Sequence, residues 1–241
     1  MATQGPLYPG TVTTETGPSG DNDWLTETNI SVDDGSEAQI TAATYDAADH
    51  SFRLKGQNLS FTLPPAITID GITVEIDRRC FAGAAQDQEV RLFDETGALV
   101  GDDKQTATAW PATLGVATYG GAADTWGWTT VTRDKLNDAD FGVALIVLAD
   151  AANTDIGVDY IRATVHYTPS AQTVSPAALG LALSAVAPDI TQASNPAALG
   201  LSLSAVAPEV QAGVSEQDVS PSALSLTLTP VAPRADLAIQ I

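Results

Sequence analysis

Three times in its final third the chain repeats one phrase, and each copy carries leucine at every second position. Residues 175–188 read Ser-Pro-Ala-Ala-Leu-Gly-Leu-Ala-Leu-Ser-Ala-Val-Ala-Pro. Residues 195–208 read Asn-Pro-Ala-Ala-Leu-Gly-Leu-Ser-Leu-Ser-Ala-Val-Ala-Pro, and residues 220–233 read Ser-Pro-Ser-Ala-Leu-Ser-Leu-Thr-Leu-Thr-Pro-Val-Ala-Pro. The leucines are Leu179, Leu181 and Leu183, then Leu199, Leu201 and Leu203, then Leu224, Leu226 and Leu228, separated only by Gly, Ala, Ser or Thr. A period of two puts the leucines on one face of a strand and the small residues on the other. Prolines bracket each unit and oppose a long helix. An Ala/Leu-rich helix is the rival reading, and it fails on the period. A flexible Ala/Pro-rich linker has no need of strict leucine alternation.

A lone strand with a leucine face is unstable in water. Burying a leucine is worth roughly 1.5–3 kcal/mol, whereas ordering each residue costs about 1–2 kcal/mol of backbone entropy. Three short strands also make at best a small sheet with one wet apolar face. Residues 170–241 therefore read as an assembly tail of three short β-repeats whose leucines oligomerise or anchor the chain. A threefold fibre with leucines around a shared axis is one arrangement. Strand addition to the edges of neighbouring subunits is another. A homo-oligomer is expected, with a trimer favoured.

Composition changes abruptly near Thr168-Pro-Ser-Ala-Gln-Thr173: every Trp, Tyr, Phe and His lies before it. Residues 1–169 read as one globular all-β domain. Leu59-Ser-Phe-Thr-Leu63 alternates and stops at Pro64-Pro65. Ile67-Thr-Ile69 leads to a predicted turn at Asp70-Gly71, and Ile72–Ile76 alternates again. Val90-Arg-Leu92 runs to Phe93 and a turn at Asp94–Gly97. Val143–Leu148 is continuously apolar, as in a strand covered on both faces. Ile161, Ala163, Val165 and Tyr167 share one face, and Arg162, Thr164 and His166 the other. One short helix is predicted over Thr132–Ala139, capped by Thr132. Short strands with Gly, Pro and Asp turns predict a jelly-roll-like β-sandwich.

With 30 acidic and 10 basic residues the formal charge is -20. Such a surface repels nucleic-acid phosphate and anionic membranes, so neither nucleic-acid binding nor membrane insertion is expected. No apolar run approaches the roughly 18 residues of a membrane span. The segment Met1-Ala-Thr-Gln-Gly-Pro6 has neither the basic nor the apolar region of a signal peptide, which favours assembly in a cytoplasm. The single cysteine, Cys80, excludes an intrachain disulfide and reads as a buried thiol. His50 and His166 stand in no catalytic motif, and none of the common nucleotide, hydrolase or zinc motifs is present, so no enzyme activity is expected. The acidic loops holding Asp21 and Asp23, and Asp33 and Asp34, are either weak calcium sites or solvated turns; no other metal or cofactor is expected. Trp110, Tyr119, Trp126 and Trp128 lie in a Gly/Thr-rich stretch. They are either core residues or a platform on which a host-surface glycan stacks.

Leu7-Tyr-Pro-Gly-Thr11, Ile69-Asp-Gly-Ile-Thr-Val-Glu-Ile76, Tyr119-Gly-Gly121 with Trp126-Gly127, Phe141-Gly-Val143, and Val158-Asp-Tyr-Ile161 running into Val165-His-Tyr167 together resemble a β-sandwich module of tailed-phage structural proteins. The tail is similar to the Ser-Pro-Ala-Ala-Leu repeats that follow such modules. The resemblance implies a bacteriophage virion protein, such as a capsid decoration, head-fibre or tail-fibre component, with other virion proteins as partners. It supplies no functional residues. The alternatives are a glycan-binding adhesin or receptor-binding module and a subunit of a non-viral extracellular filament.

Overall fold

The computed structural model describes residues 1–16, 20–41 and 45–170, with the side chains of residues 20 and 21 excepted. The leucine repeats, and with them Leu179 through Leu228, lie outside the described residues.

The elements in chain order are β1 (Ala2–Leu7), β2 (Thr11–Glu15), β3 (Gly20–Asn22), a 3-10 turn (Glu27–Ile30), β4 (Ala38–Thr41), β5 (His50–Ser51), β6 (Arg53–Gln57), β7 (Ile67–Ala82), β8 (Ala85–Phe93), β9 (Leu99–Val100), β10 (Gly115–Gly120), α1 (Arg133–Leu136), β11 (Gly142–Ala149) and β12 (Asp155–Pro169). A five-stranded sheet runs β1-β12-β7-β10, with β4 sharing the β1 edge of β12. A seven-stranded sheet runs β2-β6-β11-β8-β9, with β5 also on β11 and β3 parallel to β5. The chain changes sheet at every step between consecutive strands except β2 to β3, β5 to β6 and β8 to β9. This is an all-β sandwich, as the sequence predicts.

Period-two patterning builds the core. Ile72, Val74 and Ile76 of β7 and Ile161, Ala163 and Val165 of β12 face inward and are fully or almost fully buried. They meet Leu54 of β6, Val90 and Leu92 of β8, and Val143, Leu145 and Val147 of β11 in one apolar cluster. A bulge in β12 between Val158 and Tyr160 resets its phase against β7. Cys80 is buried in β7, its thiol donates to the Ala82 carbonyl at 3.0 Å, and burial pushes its pKa up.

Two local expectations are corrected. Asp70-Gly71 makes no turn: β7 continues through it with a bulge opposite His166 and Tyr167. Gly71 is required because a Cβ there would strike the Gly121 carbonyl, and the Asp70 carboxylate accepts from Thr168 Oγ1 at 2.7 Å. Leu59–Leu63 buries Leu59, Phe61 and Leu63 as its alternation predicts, yet joins no ladder. Asn58 and Ser60 have φ of 57° and 55°, a left-handed backbone incompatible with a strand. Side chains replace the missing ladder: Leu63 N–H donates to Asn137 Oδ1, and its carbonyl accepts from Arg133 Nε and Asn137 Nδ2. The predicted helix shortens to α1, and the Thr132 side chain accepts from Lys135 N–H as its cap.

Candidate binding groove

The aromatic residues read as a stacking platform are core residues. Trp110, Tyr119, Trp126 and Trp128 are each 5% exposed or less. Each polar atom has an internal partner, which lets the ring stay buried. Trp126 Nε1 donates to the Ile72 carbonyl at 2.8 Å. Trp128 Nε1 donates to Thr130 Oγ1 at 3.1 Å, and its ring stacks on Phe141 at 6.2 Å. Trp110 Nε1 and Tyr119 OH donate to the two oxygens of Asp87 at 2.8 and 2.9 Å. Burial pushes the Tyr119 hydroxyl up to about 12, against the pull of Arg78.

Asp87 also pairs with Arg78, which reaches it from β7 across the sandwich, and accepts from the Thr106 N–H and hydroxyl. The Arg78 guanidinium lies 4.9 Å over the Trp110 ring. Asp87 is 2% exposed and its carboxylate already serves four residues. The knot fastens the loop between β9 and β10 to both sheets and engages the Asp87 carboxylate internally, while Arg78 Nε is buried without a hydrogen-bond partner.

An open groove of about 620 Å³ lies at the end of the sandwich where β7 begins and β12 finishes. Its walls are Pro65–Ile69 on one side and, on the other, Thr125, Trp128, Thr129 and Val131–Asp134. Pro65, Ile67, Ile69 and Val131 leave apolar surface exposed or half-exposed, while Thr68, Thr129, Thr132 and Asp134 are exposed polar groups. Arg133 is fixed at the rim: Nε donates to the Leu63 carbonyl at 2.8 Å, and a terminal nitrogen to Asp134 at 2.6 Å. The wall is shaped by backbone turns. Trp126 and Gly127 take φ of 60° and 65°, and Trp128 N–H and Val131 N–H bond back to the Thr125 and Trp128 carbonyls. Trp128 is the sole sequence candidate that lines the groove, and it gives little more than an edge. The threonines after it are exposed polar residues like many others in the chain, and nothing local in the sequence marks them as a wall opposite Ile67 and Ile69.

The calcium candidates do not converge. The Asp21 side chain lies outside the described residues. Asp23 Oδ1 accepts from Trp24 N–H, and Asp34 Oδ1 from Ser36 N–H, as in ordinary turns. Asp33 approaches Arg162 at 3.8 Å. Among the described residues no group of three or more His, Cys, Asp or Glu is placed to hold a metal ion.

Instead, the Ser31–Glu37 loop lies on the outward side of β7 and β12 over two carboxylates that sequence reading passed by. Asp159, 2% exposed, accepts from Gly35 N–H at 3.0 Å. Asp77 projects outward from β7, and its Oδ1 is buried without a hydrogen-bond partner. Both are held above the usual carboxylate range. Burial is the leading cause for both; for Asp77 the charges of Asp159 and Asp33 add to it, and for Asp159 burial outweighs the backbone donors of Gly35 and Asp34, with smaller contributions from the charges of Asp33 and Asp34. Beside them Arg162 stacks over Tyr160 at 4.5 Å and donates to Glu75 and the Tyr8 hydroxyl. Burial lowers the pKa of this guanidinium, but its Tyr8 and Glu75 partners raise it further. His166 and Thr73 share a hydrogen bond of 2.9 Å farther along the same face.

No protein-family model and no curated protein matches this sequence. Among solved structures, an exo-β-agarase aligns at TM-score 0.35 and 10% identity, over 69% of this chain and 25% of that one. A xylan-binding domain from Paenibacillus barcinonensis aligns at TM-score 0.32 and 10% identity, over 68% and 86%. The N-terminal cellulose-binding domain of a Cellulomonas fimi β-1,4-glucanase aligns at TM-score 0.32 and 10% identity, over 70% and 99%. The sandwich is defined by its own strand pairing. Among the described residues no helix is long and apolar enough to cross a membrane.

Proposed function

We propose that this chain is a non-enzymatic binding subunit. Its sandwich receives a neutral glycan in the end groove, and its leucine repeats gather copies, with a trimer as the expected state. The carrying observation is the groove itself. A sugar ring has one apolar and one hydroxylated side, and Ile67, Ile69 and Val131 offer an apolar bed beside the hydroxyls of Thr68, Thr129 and Thr132 and the carboxylate of Asp134. The lining is more polar than apolar, which suits a ligand whose surface is largely hydroxyl. The formal charge of -20 favours neutral over acidic glycans.

Isothermal titration of the full chain against neutral and uronic-acid polysaccharides tests this. Saturable binding of a neutral glycan is expected, weakened at least about fivefold, or roughly 1 kcal/mol, by Asp134→Ala with Thr129→Ala. Absence of saturable heat with every glycan, or binding indifferent to that double change, overturns the groove assignment.

A second reading adds the location. The repeats and the module resemblance support a virion component, a decoration or fibre protein assembled in a host cytoplasm, with an extracellular surface as the alternative. Replacing Leu181, Leu201 and Leu226 with Asp is expected to reduce the full chain from oligomer to monomer by light scattering while its far-UV spectrum stays that of the sandwich. An oligomer that survives the triple change removes the tail from assembly.

A further inference from the structure

The outward face of the five-stranded sheet brings apolar and acidic surface together. Among the described residues, five large hydrophobic side chains are exposed: Met1, Leu25, Val32, Phe81 and Val116. Register places the last four about one face. Val116 stands directly opposite Asp77. Phe81 lies beside Arg79, whose guanidinium is 5.0 Å over its ring. Leu25 bridges to Gln39, which pairs with Gly157, which pairs with Arg79. Val32 belongs to the loop that bridges to Tyr160 through Ser31 and caps Asp159 through Gly35. With strands about 4.8 Å apart and same-face residues about 6.8 Å apart, these positions outline a patch roughly 20 Å across.

Charge on this patch is one-sided. Among the described residues, Asp33, Asp34, Glu37, Glu75, Asp77 and Asp159 share Arg79 and Arg162 as their cations. Both arginines are engaged, Arg79 by Glu37 and Arg162 by Glu75. Asp77 keeps an unpartnered buried oxygen.

We propose that this face docks an extended segment of a partner polypeptide rich in Lys or Arg and interspersed with apolar residues. The apolar side chains cover Phe81, Val116, Leu25 and Val32, and the cations meet Asp33, Asp34 and Asp77. Charge complementarity selects this occupant. A second copy brings the same acidic surface, since the whole chain has only 10 basic residues against 30 acidic, and like-charge juxtaposition opposes its docking. An anionic membrane is repelled in the same way. The patch is separate from the end groove, so occupation of one leaves the other open.

The test is fluorescence anisotropy with the full chain and three labelled peptides of about nine residues, extended to roughly 30 Å. One alternates Lys with Leu and Val, one replaces each Lys by Glu, and one replaces each apolar residue by Ser. The first is expected to bind at least about tenfold tighter than either other, and to weaken with salt. Phe81→Ser with Val116→Ser is expected to weaken it about tenfold, as is Asp33→Asn with Asp34→Asn. The matched change Asp138→Asn with Asp140→Asn, on exposed residues elsewhere, is expected to stay within about twofold. Equal loss from the two paired Asp changes, or equal binding of the serine peptide, shows attraction to overall charge and overturns the proposal. A fall in full-chain mass with Phe81→Ser and Val116→Ser overturns it in favour of a second copy. Calcium binding that requires Asp33 and Asp34, with no peptide binding, overturns it in favour of a cation.

Discussion

The two outward faces of the sandwich carry the same kinds of side chain and use them in opposite ways. On the seven-stranded sheet Phe93, Ala144 and Ile146 are buried although they belong to no part of the inner core. Lysine and arginine stems can cover apolar surface while their heads find partners, and here Lys55 lies 4.6 Å over the Phe93 ring. Arg53 is held by Glu15 and Glu89 at 2.5 and 2.6 Å, and Lys55 approaches Glu15 at 3.5 Å. Three cations, Arg53, Lys55 and Arg91, stand with two carboxylates, Glu15 and Glu89, over a closed apolar floor. On the five-stranded sheet six carboxylates share two arginines, and Leu25, Val32, Phe81 and Val116 remain exposed. The first face covers its apolar side chains within the chain, although Arg91 Nε is buried there without a hydrogen-bond partner. The second carries surplus charge and uncovered apolar surface, which is the condition of a surface that recognises something else.

Phenylalanine truncation gives the largest separation between the faces. Phe93→Ala on the closed face is expected to cost about 3–5 kcal/mol in chemical denaturation, the range for a fully buried ring. Phe81→Ala on the open face is expected to fall within about 0.5 kcal/mol, as surface changes do. Comparable costs would erase the distinction. The charged layer gives a smaller contrast. Glu89→Ala removes the partner of a guanidinium that is 11% exposed and is expected to cost about 1–3 kcal/mol, because a largely buried donor loses its acceptor. Asp33→Ala, whose side chain is 54% exposed beside an already paired arginine, is expected to leave stability unchanged or raise it slightly. The same denaturant midpoints decide it.

What was legible in the sequence was the inside of each strand. Alternation over Ile72–Ile76 and Ile161–Val165, and the apolar run at Val143–Leu148, set burial correctly because a period of two divides a strand into faces wherever it pairs. Partners were not legible. Leu59–Leu63 alternates like a strand, but backbone signs at Asn58 and Ser60 and side chains 70 or more residues away decide that it joins no ladder. Asp70-Gly71 has turn chemistry, yet Gly71 serves a close backbone approach from a distant loop. Composition placed the tryptophans in a glycine-rich stretch without saying which atoms would satisfy them; Asp87 and the Ile72 carbonyl, on other strands, make them core. The open face was hidden for the same reason. Asp33, Asp77 and Asp159 are far apart in sequence and meet only through the register of β7 with β12 and the return of the Ser31–Glu37 loop.

The smallest expected effect is also the one with a sign to check. Asp77 and Asp159 have folded pKa values above their unfolded ones, so the folded state holds protons more tightly than the unfolded chain does. Their favourable contribution is fully present below the unfolded carboxylate range, near pH 4, and is lost as pH rises through the raised folded values. As pH rises, ionisation places like charge on both beside Asp33 and Asp34, and repulsion on the face grows. Asp77→Asn removes one of those charges without changing size and gives the remaining carboxylates an amide donor. A rise in melting temperature of about 1–2 °C is expected at pH 7, the scale of roughly half a kcal/mol for a domain of this size. The gain should shrink as pH falls toward the unfolded carboxylate range, because protonation removes the Asp77 charge that the variant lacks. On the closed face the sign reverses. Burial raises the Glu15 carboxyl, but its Arg53 and Lys55 partners more than offset this and leave its pKa lowered. Glu15→Gln is therefore expected to cost stability at pH 7 and nothing at low pH. Melting curves of the two variants between pH 4 and 7 should diverge in opposite directions from wild type as pH rises. Parallel curves would mean that the two faces do not differ in their charge balance.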